Sequence, residues 1–502
     1  MTRRIVLRGA QALLGEEFVH ARRPVDVVIE GETIAAVTPA RGTQGEEVYD
    51  LSNHLLLPGL INGHQHSHEH FQKGRVENLP LEIWMHLMRS GLGVPITPRQ
   101  AYLRTLIGAI EALRTGTTTM VDDLILGSSI DRDVLEAIFQ AYEDVGIRVL
   151  VGFAVVNRPV VDTFPFVDET FSAQLLATLR AVPMPSAEQY LDLCRDLVRM
   201  RHPQTNRVGI LVSASAPQRC TLDFLLACRR LADEHGLPLI THVQETRLQV
   251  VTGQCFYGSP MVEYLDRIGF LAPNTSLIHA VWLNPREIDA LARSGATVQH
   301  NPWSNLMLGS GVQPMRELLN AGVNVSLGSD GTCSTLTTNM LTVLGAAAAL
   351  SKIRGNDFAL WLSAKECLQA ATRGGAQALG FGGQLGVLQA GAKADLIGVR
   401  LDSNSFAPLN DAVRQLVYAE RGAGVKFSMV AGRVVMRDGV LQGFDIFAEI
   451  AEEHARLAEK FERAEATLQP VLAAMTQVYE RGLATPIPAD TFAAKLTEAQ
   501  RG

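Results

Sequence analysis

The chain lacks the features that would carry it out of the cell or into a bilayer. Residues 1–20 hold neither a continuous apolar core nor an Ala-x-Ala cleavage pattern, so no signal peptide is expected. No stretch approaches the roughly 18 consecutive apolar residues of a membrane span. Cysteine is scarce: six in 502 residues, with no Cys-x-x-Cys pair. That excludes a disulfide scaffold and a cysteine-ligated zinc site, and makes reduced thiols and a cytoplasmic location the expectation. There is no basic excess either, with 45 Lys and Arg against 52 Asp and Glu and a net charge of -7. Neither nucleic acid nor an anionic membrane is an expected partner; a small-molecule substrate is. Sequence repeats and low-complexity tracts are absent.

Two rhythms alternate along what remains. Short β-type runs fill residues 4–57, clearest at 5–7, 25–30 and 34–37, with a turn signal at Gly31-Glu32. From about 59 to 384, β-branched runs (117–121, 148–152, 237–240, 275–278, 296–298, 323–327) alternate with helical patterns such as 99–114, 221–235 and 285–293. Such alternation implies a parallel sheet, and about eight units close a barrel. β-type runs return between 385 and about 445. The expected fold is α/β: a (β/α)8 TIM-type barrel over 59–384, with a small discontinuous β-sandwich domain from 1–58 and 385–445. Residues 446–502 form a C-terminal helical extension, suited to packing or subunit contact rather than catalysis.

The chain is organised around PGLINGHQH, residues 58–66. The run Leu55-Leu56-Leu57 before it reads as a buried strand. Residues two apart on a strand share a face, so His64 and His66 project side by side as half of a metal site. Four more apolar runs end on a possible ligand: His242, His279, His300 and Asp330. A barrel gathers these strand ends at one mouth. Two paired imidazoles, a third His and a carboxylate suit zinc or a similar divalent ion. A hydrolytic site of this kind lowers the pKa of water from about 15.7 to near 7. It also needs a proton carrier for a poor leaving group, and Glu245, three residues past His242, is placed to be one.

With these motifs the chain resembles the amidohydrolase superfamily, in the mononuclear branch of cytosine deaminase, adenosylhomocysteine-type deaminases and triazine chlorohydrolases. The resemblance rests on PGLINGHQH, HVQET, the His279 of LIHAVWL, QHNPWSN at 299–305 and LGSDG at 327–331. ATRGGAQALG, LGVLQAGAKADLIGV and MVAGRVVMRDG extend it over nearly all of 1–440. It implies one divalent metal ion per chain, zinc first and iron, cobalt or manganese after it, held by His64, His66, His242 and Asp330. It implies Glu245 as proton shuttle, His279 as catalytic rather than ligating, and Asp330 as helping to deprotonate the water. The bridging Lys of the binuclear branch has no counterpart in VGILVSASA at 208–216, which favours one metal. By the same analogy the chain is a homodimer or homotetramer.

Two departures bear on substrate. Ala216-Pro217-Gln218 stands where many deaminases of this branch carry Ala-Pro-His, which argues against a purine nucleoside. PLEIWM at 80–85 and APQRC look more like relatives that hydrolyse thiocarbamates or phenylureas. Residues 335–350 lack the acids common after the Asp330 motif, so an apolar pocket is expected there. The substrate-binding candidates are Trp84, Gln218 and Asn305, with His86 and Trp303 beside them. His68 and His70 are expected behind the ligands or facing substrate, and His300 as a structural hydrogen-bonding group. The expected reaction is hydrolytic deamination of an amino-substituted nitrogen heterocycle. Hydrolysis of an amide, urea or carbamate C–N bond, or triazine dechlorination, is the alternative at the same site. A non-catalytic barrel would lack ligands or the acid–base group, and all six residues are present.

Overall fold

In the computed structural model, which describes residues 3–125, 131–441 and 443–492, both chain ends enter one sheet. Its strands are β1 (Arg4–Leu14), β2 (Val19–Glu30), β3 (Thr33–Pro39), β4 (Glu47–Asp50) and β5 (His54–Pro58). The barrel strands follow: β6 (Leu60–Gln65), β7 (Thr117–Ile125), β8 (Arg148–Ala154), β9 (Val208–Ile210), β10 (Val212–Ser213), β11 (Leu239–Val243), β12 (Thr275–His279), β13 (Thr297–His300) and β14 (Val325–Leu327). The C-terminal part then contributes β15 (Leu396–Arg400), β16 (Val425–Val430) and β17 (Arg433–Arg437) to the first sheet, in the order β17-β16-β15-β5-β1-β2-β3 with β4 beside β1. The turn at Gly31-Glu32 joins β2 to β3 as the sequence predicts.

Strand alternation lets this sheet serve two cores. Leu55, Leu57, Ile397 and Val399 pack into the barrel side, while their neighbours Leu56 and Leu396 join Leu7, Phe427 and Met429 in a separate core. A buried ion pair fixes the two parts: Arg148 on β8 donates to both carboxylate oxygens of Asp395, at 2.9 and 3.0 Å. Removing one partner strands a buried charge. Asp395→Ala is therefore expected to cost about 3–5 kcal/mol in urea unfolding, and a loss below about 1 kcal/mol would show the pair to be dispensable.

The barrel closes through named bonds. β6 to β9 pair in parallel, as do β10 to β14. Leu211 N–H donates to the Val151 carbonyl, and Val155 bridges Ala214, so β9 and β10 form one interrupted strand between β8 and β11. At the seam, Ser329 N–H donates to Asn62 Oδ1 and Asp330 N–H to the His64 carbonyl, each at 2.9 Å. The count is the eight strands the sequence predicts. The barrel floor is apolar: Ile61, Val121, Leu150, Leu211, Ile240 and Ile278 each point inward, plugged from below by Phe381 and Leu385. Two residues higher the same faces carry Gly63, Asp123, Gly152, Ser213 and His242, and the interior turns polar toward the mouth.

The predicted helices form at Pro98–Arg114, Leu222–His235 and Pro285–Ser294. The first and third start in capping boxes, Thr97 with Gln100 and Asn284 with Glu287. Phe447–Ala466 and Gln469–Ala484 are the predicted C-terminal helices. Their apolar faces pack inward, and Val471, Met475 and Val478 lie against Leu81, Trp84, Met85 and Leu248.

Candidate metal centre and catalytic cleft

His64 lies on β6 and His66 one residue past its end, their ring centroids 4.6 Å apart and nearly perpendicular. The ligand atoms of His64, His66 and His242 lie within 4.8 Å of one another, and so do those of His64, His279 and Asp330. Asp330 Oδ1 stands 3.6 Å from His64 Nε2 and 3.4 Å from His66 Nε2; its Oδ2 is 3.6 Å from His279 Nε2. On its other side His279 Nε2 is 3.5 Å from Glu245 Oε2. Every one of these side chains is buried.

Backbone carbonyls aim the rings. His66 Nδ1 bonds the Asp123 carbonyl at 2.6 Å, and His242 Nδ1 the Ser215 carbonyl at 2.8 Å. His279 Nδ1 bonds Asn305 Oδ1 at 2.9 Å. A carbonyl can only accept, so in the first two rings Nδ1 carries the proton and Nε2 turns a lone pair to the centre. Gly63 clears the space beside them, since a methyl there would strike Gln299 and Ser326. His279 and Asp330 hold left-handed backbone, with φ of 72° and 67°. Such conformations cost about 1–3 kcal/mol in non-glycine residues and collect at functional sites.

The electrostatics fit a cation. Burial lowers His64 to about 4 and His242 well below the ordinary imidazole value, so both are neutral, the form that binds metal. At His66 burial acts downward too, but Glu69, Asp330 and Asp123 outweigh it and raise the ring. Asp330 is held well below the carboxylate range because the imidazoles of His64, His279 and His66 around it outweigh its burial. Burial, and then the Asp330 charge, push Glu245 well above that range. Both ring nitrogens of His64 are buried without a hydrogen-bond partner, which a coordinate bond to Nε2 would relieve in part. Three imidazoles and one carboxylate suit a single divalent ion of the zinc type.

His66, His242, Glu245, His279 and Asp330 line a cleft of about 650 Å³. Trp84 forms part of its wall with Leu81, Met85 and Met88. The other predicted pocket residues lie elsewhere. Gln218 lines a side pocket of about 260 Å³, and its neighbour Arg219 lines both that pocket and the main cleft. Asn305 sits behind His279 as its hydrogen-bond partner. His86 packs against Phe164, and Trp303 donates to the Thr342 carbonyl in the outer core. His68 lines the cleft. His70 does not: its ring rests on Gly108, bonds the Arg104 carbonyl and Gln65, and is lowered by burial to about 3. His300 is a buried neutral ring, also lowered to about 3, bordering a second cavity. Sequence reasoning missed Glu69 and Arg219 on the cleft wall. Glu69 is raised to about 7 by burial and accepts from the Cys333 N–H.

The family model described as "Amidohydrolase family" matches residues 55–435, which include every group at this centre. The chain belongs to the amidohydrolase family. Among curated proteins, this amidohydrolase is 30% identical over 432 residues to a 5-methylthioadenosine/S-adenosylhomocysteine deaminase of Thermococcus kodakarensis, covering 86% of this chain and 94% of the relative. Among solved structures it resembles a zinc-bound adenosine deaminase of Xanthomonas campestris, with 26% identity, a TM-score of 0.79 and coverage of 91% and 98%. It also resembles an atrazine chlorohydrolase of Arthrobacter aurescens complexed with zinc, with 25% identity, a TM-score of 0.80 and coverage of 90% and 99%. The amidohydrolase barrel with an added domain is thus the fold, and the chain is a hydrolase of a family that includes deaminases.

Proposed function

We propose that this amidohydrolase deaminates an amino-substituted nitrogen heterocycle: ring–NH2 + H2O → ring=O + NH3. The observation that carries the reading is the convergence of Glu245, His279 and Asp330 on the three imidazoles at one cleft, in a chain whose relatives are named deaminases. His64, His66, His242 and Asp330 would hold one ion, zinc by the chemistry of the donor set, within the barrel unit 59–384. Such an ion supplies Lewis acidity that brings the pKa of water from about 15.7 to near 7.

The chain's own groups do the rest. Asp330 Oδ2 accepts a proton from the attacking water. Glu245, raised by burial, donates to the ring nitrogen next to the attacked carbon and makes that carbon more electron-poor. His279 Nε2, between Glu245 and Asp330, orients the water. The new C–O bond forms, the Glu245 carboxylate takes back a proton from the added hydroxyl, and the C–N bond breaks as the proton held on Asp330 passes to the departing amine, which leaves as ammonia with both carboxyl groups restored. Trp84 and the methionines beside it give a flat ring an apolar face and exclude bulk water.

Asn305→Ala frees the His279 ring and is expected to lower kcat by about 10- to 100-fold with metal content unchanged. Loss of metal in that variant would make Asn305 part of the binding site instead. The test of the whole reading is metal per chain, with ammonia release from aminopurines, aminopyrimidines and aminotriazines. One metal with ammonia from a ring substrate supports it. Chloride from a chlorotriazine without ammonia moves the activity to the alternative that the atrazine chlorohydrolase likeness favours. No metal after reconstitution overturns it.

A further inference from the structure

The last turn after β10, Pro217–Arg219, leaves a buried guanidinium on the cleft wall. Arg219 is 8% exposed, and its guanidinium reaches only Met85 Sδ, at 4.0 Å, among the described residues. The neighbouring Glu82 carboxylate takes the Thr246 hydroxyl on Oε1, and its buried Oε2 makes no hydrogen bond, to Arg219 or to any other group among the described residues. An arginine keeps its charge at any physiological pH, and burying it without a bidentate acceptor is costly. The chain's other deeply buried arginines differ: Arg148 grips Asp395, and Arg229 grips Asp233, Asn274 and Thr275. The Arg219 donors are therefore left for something that enters the cleft.

The position narrows what that is. Arg219 and Glu245, the proton-transfer group, line the same cleft, and after burial Glu245 is the strongest charge acting on the guanidinium. The geometry therefore places an acceptor on the ring under attack in the cleft that both residues share. Glu69, on the same cleft, is the carboxyl group the reaction leaves over as an acceptor for amino and ring N–H groups. Among the described residues Arg219 is the cleft's one guanidinium, a planar donor fork matched to a ring C=O.

We infer that Arg219 is a specificity residue that selects amino-heterocycles bearing a ring carbonyl, donating its N–H groups to that oxygen. This rests on the deaminase reading for the reaction, though not for the binding. The experiment compares two pairs that differ by the ring carbonyl and the N–H of its lactam: isocytosine with 2-aminopyrimidine, and guanine with 2-aminopurine. Binding is measured by calorimetry on metal-loaded Glu245→Gln protein, with Arg219 intact or changed to Gln or Lys, and turnover on the otherwise wild-type protein. Arg219→Gln is expected to weaken the carbonyl-bearing rings by about 10- to 100-fold and their partners by less than about threefold. Arg219→Lys, keeping charge without the fork, falls between, and serves if the Gln variant does not fold. The melting temperature should not fall, because no internal ion pair is lost. Equal affinity for both members of a pair, equal losses for both on substitution, or no binding of either carbonyl-bearing ring overturns the inference. Arg219-dependent binding without ammonia release would sink the deaminase reading and leave this one standing.

Discussion

Glu245→Gln should keep one metal per chain and lose turnover by about 10²- to 10⁴-fold, the usual contribution of a positioned acid–base group. The substitution preserves shape and a hydrogen-bonding side chain but removes the transferable proton. The geometry makes the separation of binding from catalysis clean. Glu245 has its backbone N–H held by Gln249 Oε1 at 2.9 Å, so the loop does not depend on the carboxylate. The carboxylate faces His279 rather than the His64, His66 and His242 cluster. Metal analysis and kcat on the same preparation decide the matter. Turnover within about threefold of wild type would remove Glu245 from the proton path.

His242→Ala should fail at the earlier step. The ring is fixed by the Ser215 carbonyl and stacks parallel to His66 at 5.6 Å, so its removal opens one side of the cluster. Metal content is expected to fall from one per chain to near zero after dialysis, and turnover by about 10⁴-fold or more. Stability gives a readout independent of activity. A ligand that binds only the folded chain raises the melting temperature in proportion to its occupancy. Added zinc should raise the melting temperature of the metal-free wild type and leave that of His242→Ala unmoved. Full occupancy in the variant would refute the ligand assignment.

Much of this centre was legible because its logic is local. His64 and His66 need only the two-residue period of a strand, and His242, His279 and Asp330 each close a short apolar run. The barrel followed from the alternation of runs, and the two-faced use of Leu55, Leu56 and Leu57 is the same period read on both sides. What stayed hidden depends on where distant segments meet. Gln218 and Arg219 are adjacent, and only the tight turn at Pro217–Arg219 decides which faces the main cleft. Glu69 stood unnoticed among histidines because its surroundings come from Gly331 and Cys333, more than 260 residues away. The helix Gln469–Ala484 gave no sign that it would back the wall carrying Trp84. The left-handed backbone at His279 and Asp330 was invisible too, since neither residue type marks it as glycine would.

The strand His54–Pro58 runs almost directly into the metal-binding strand, yet its partner on one edge is Leu396–Arg400, with Leu57 opposite Ile397. A ribosome making about 5–20 residues per second needs roughly 20–70 s to cover those 340 residues. Throughout that interval Leu55, Leu56 and Leu57 have emerged with one edge unsealed, and the histidine pair beside them waits for about half of it before His242 is made. Birth of this enzyme is therefore a problem of waiting. A chain that stops short of residue 396 keeps that edge open, however complete its metal ligands are.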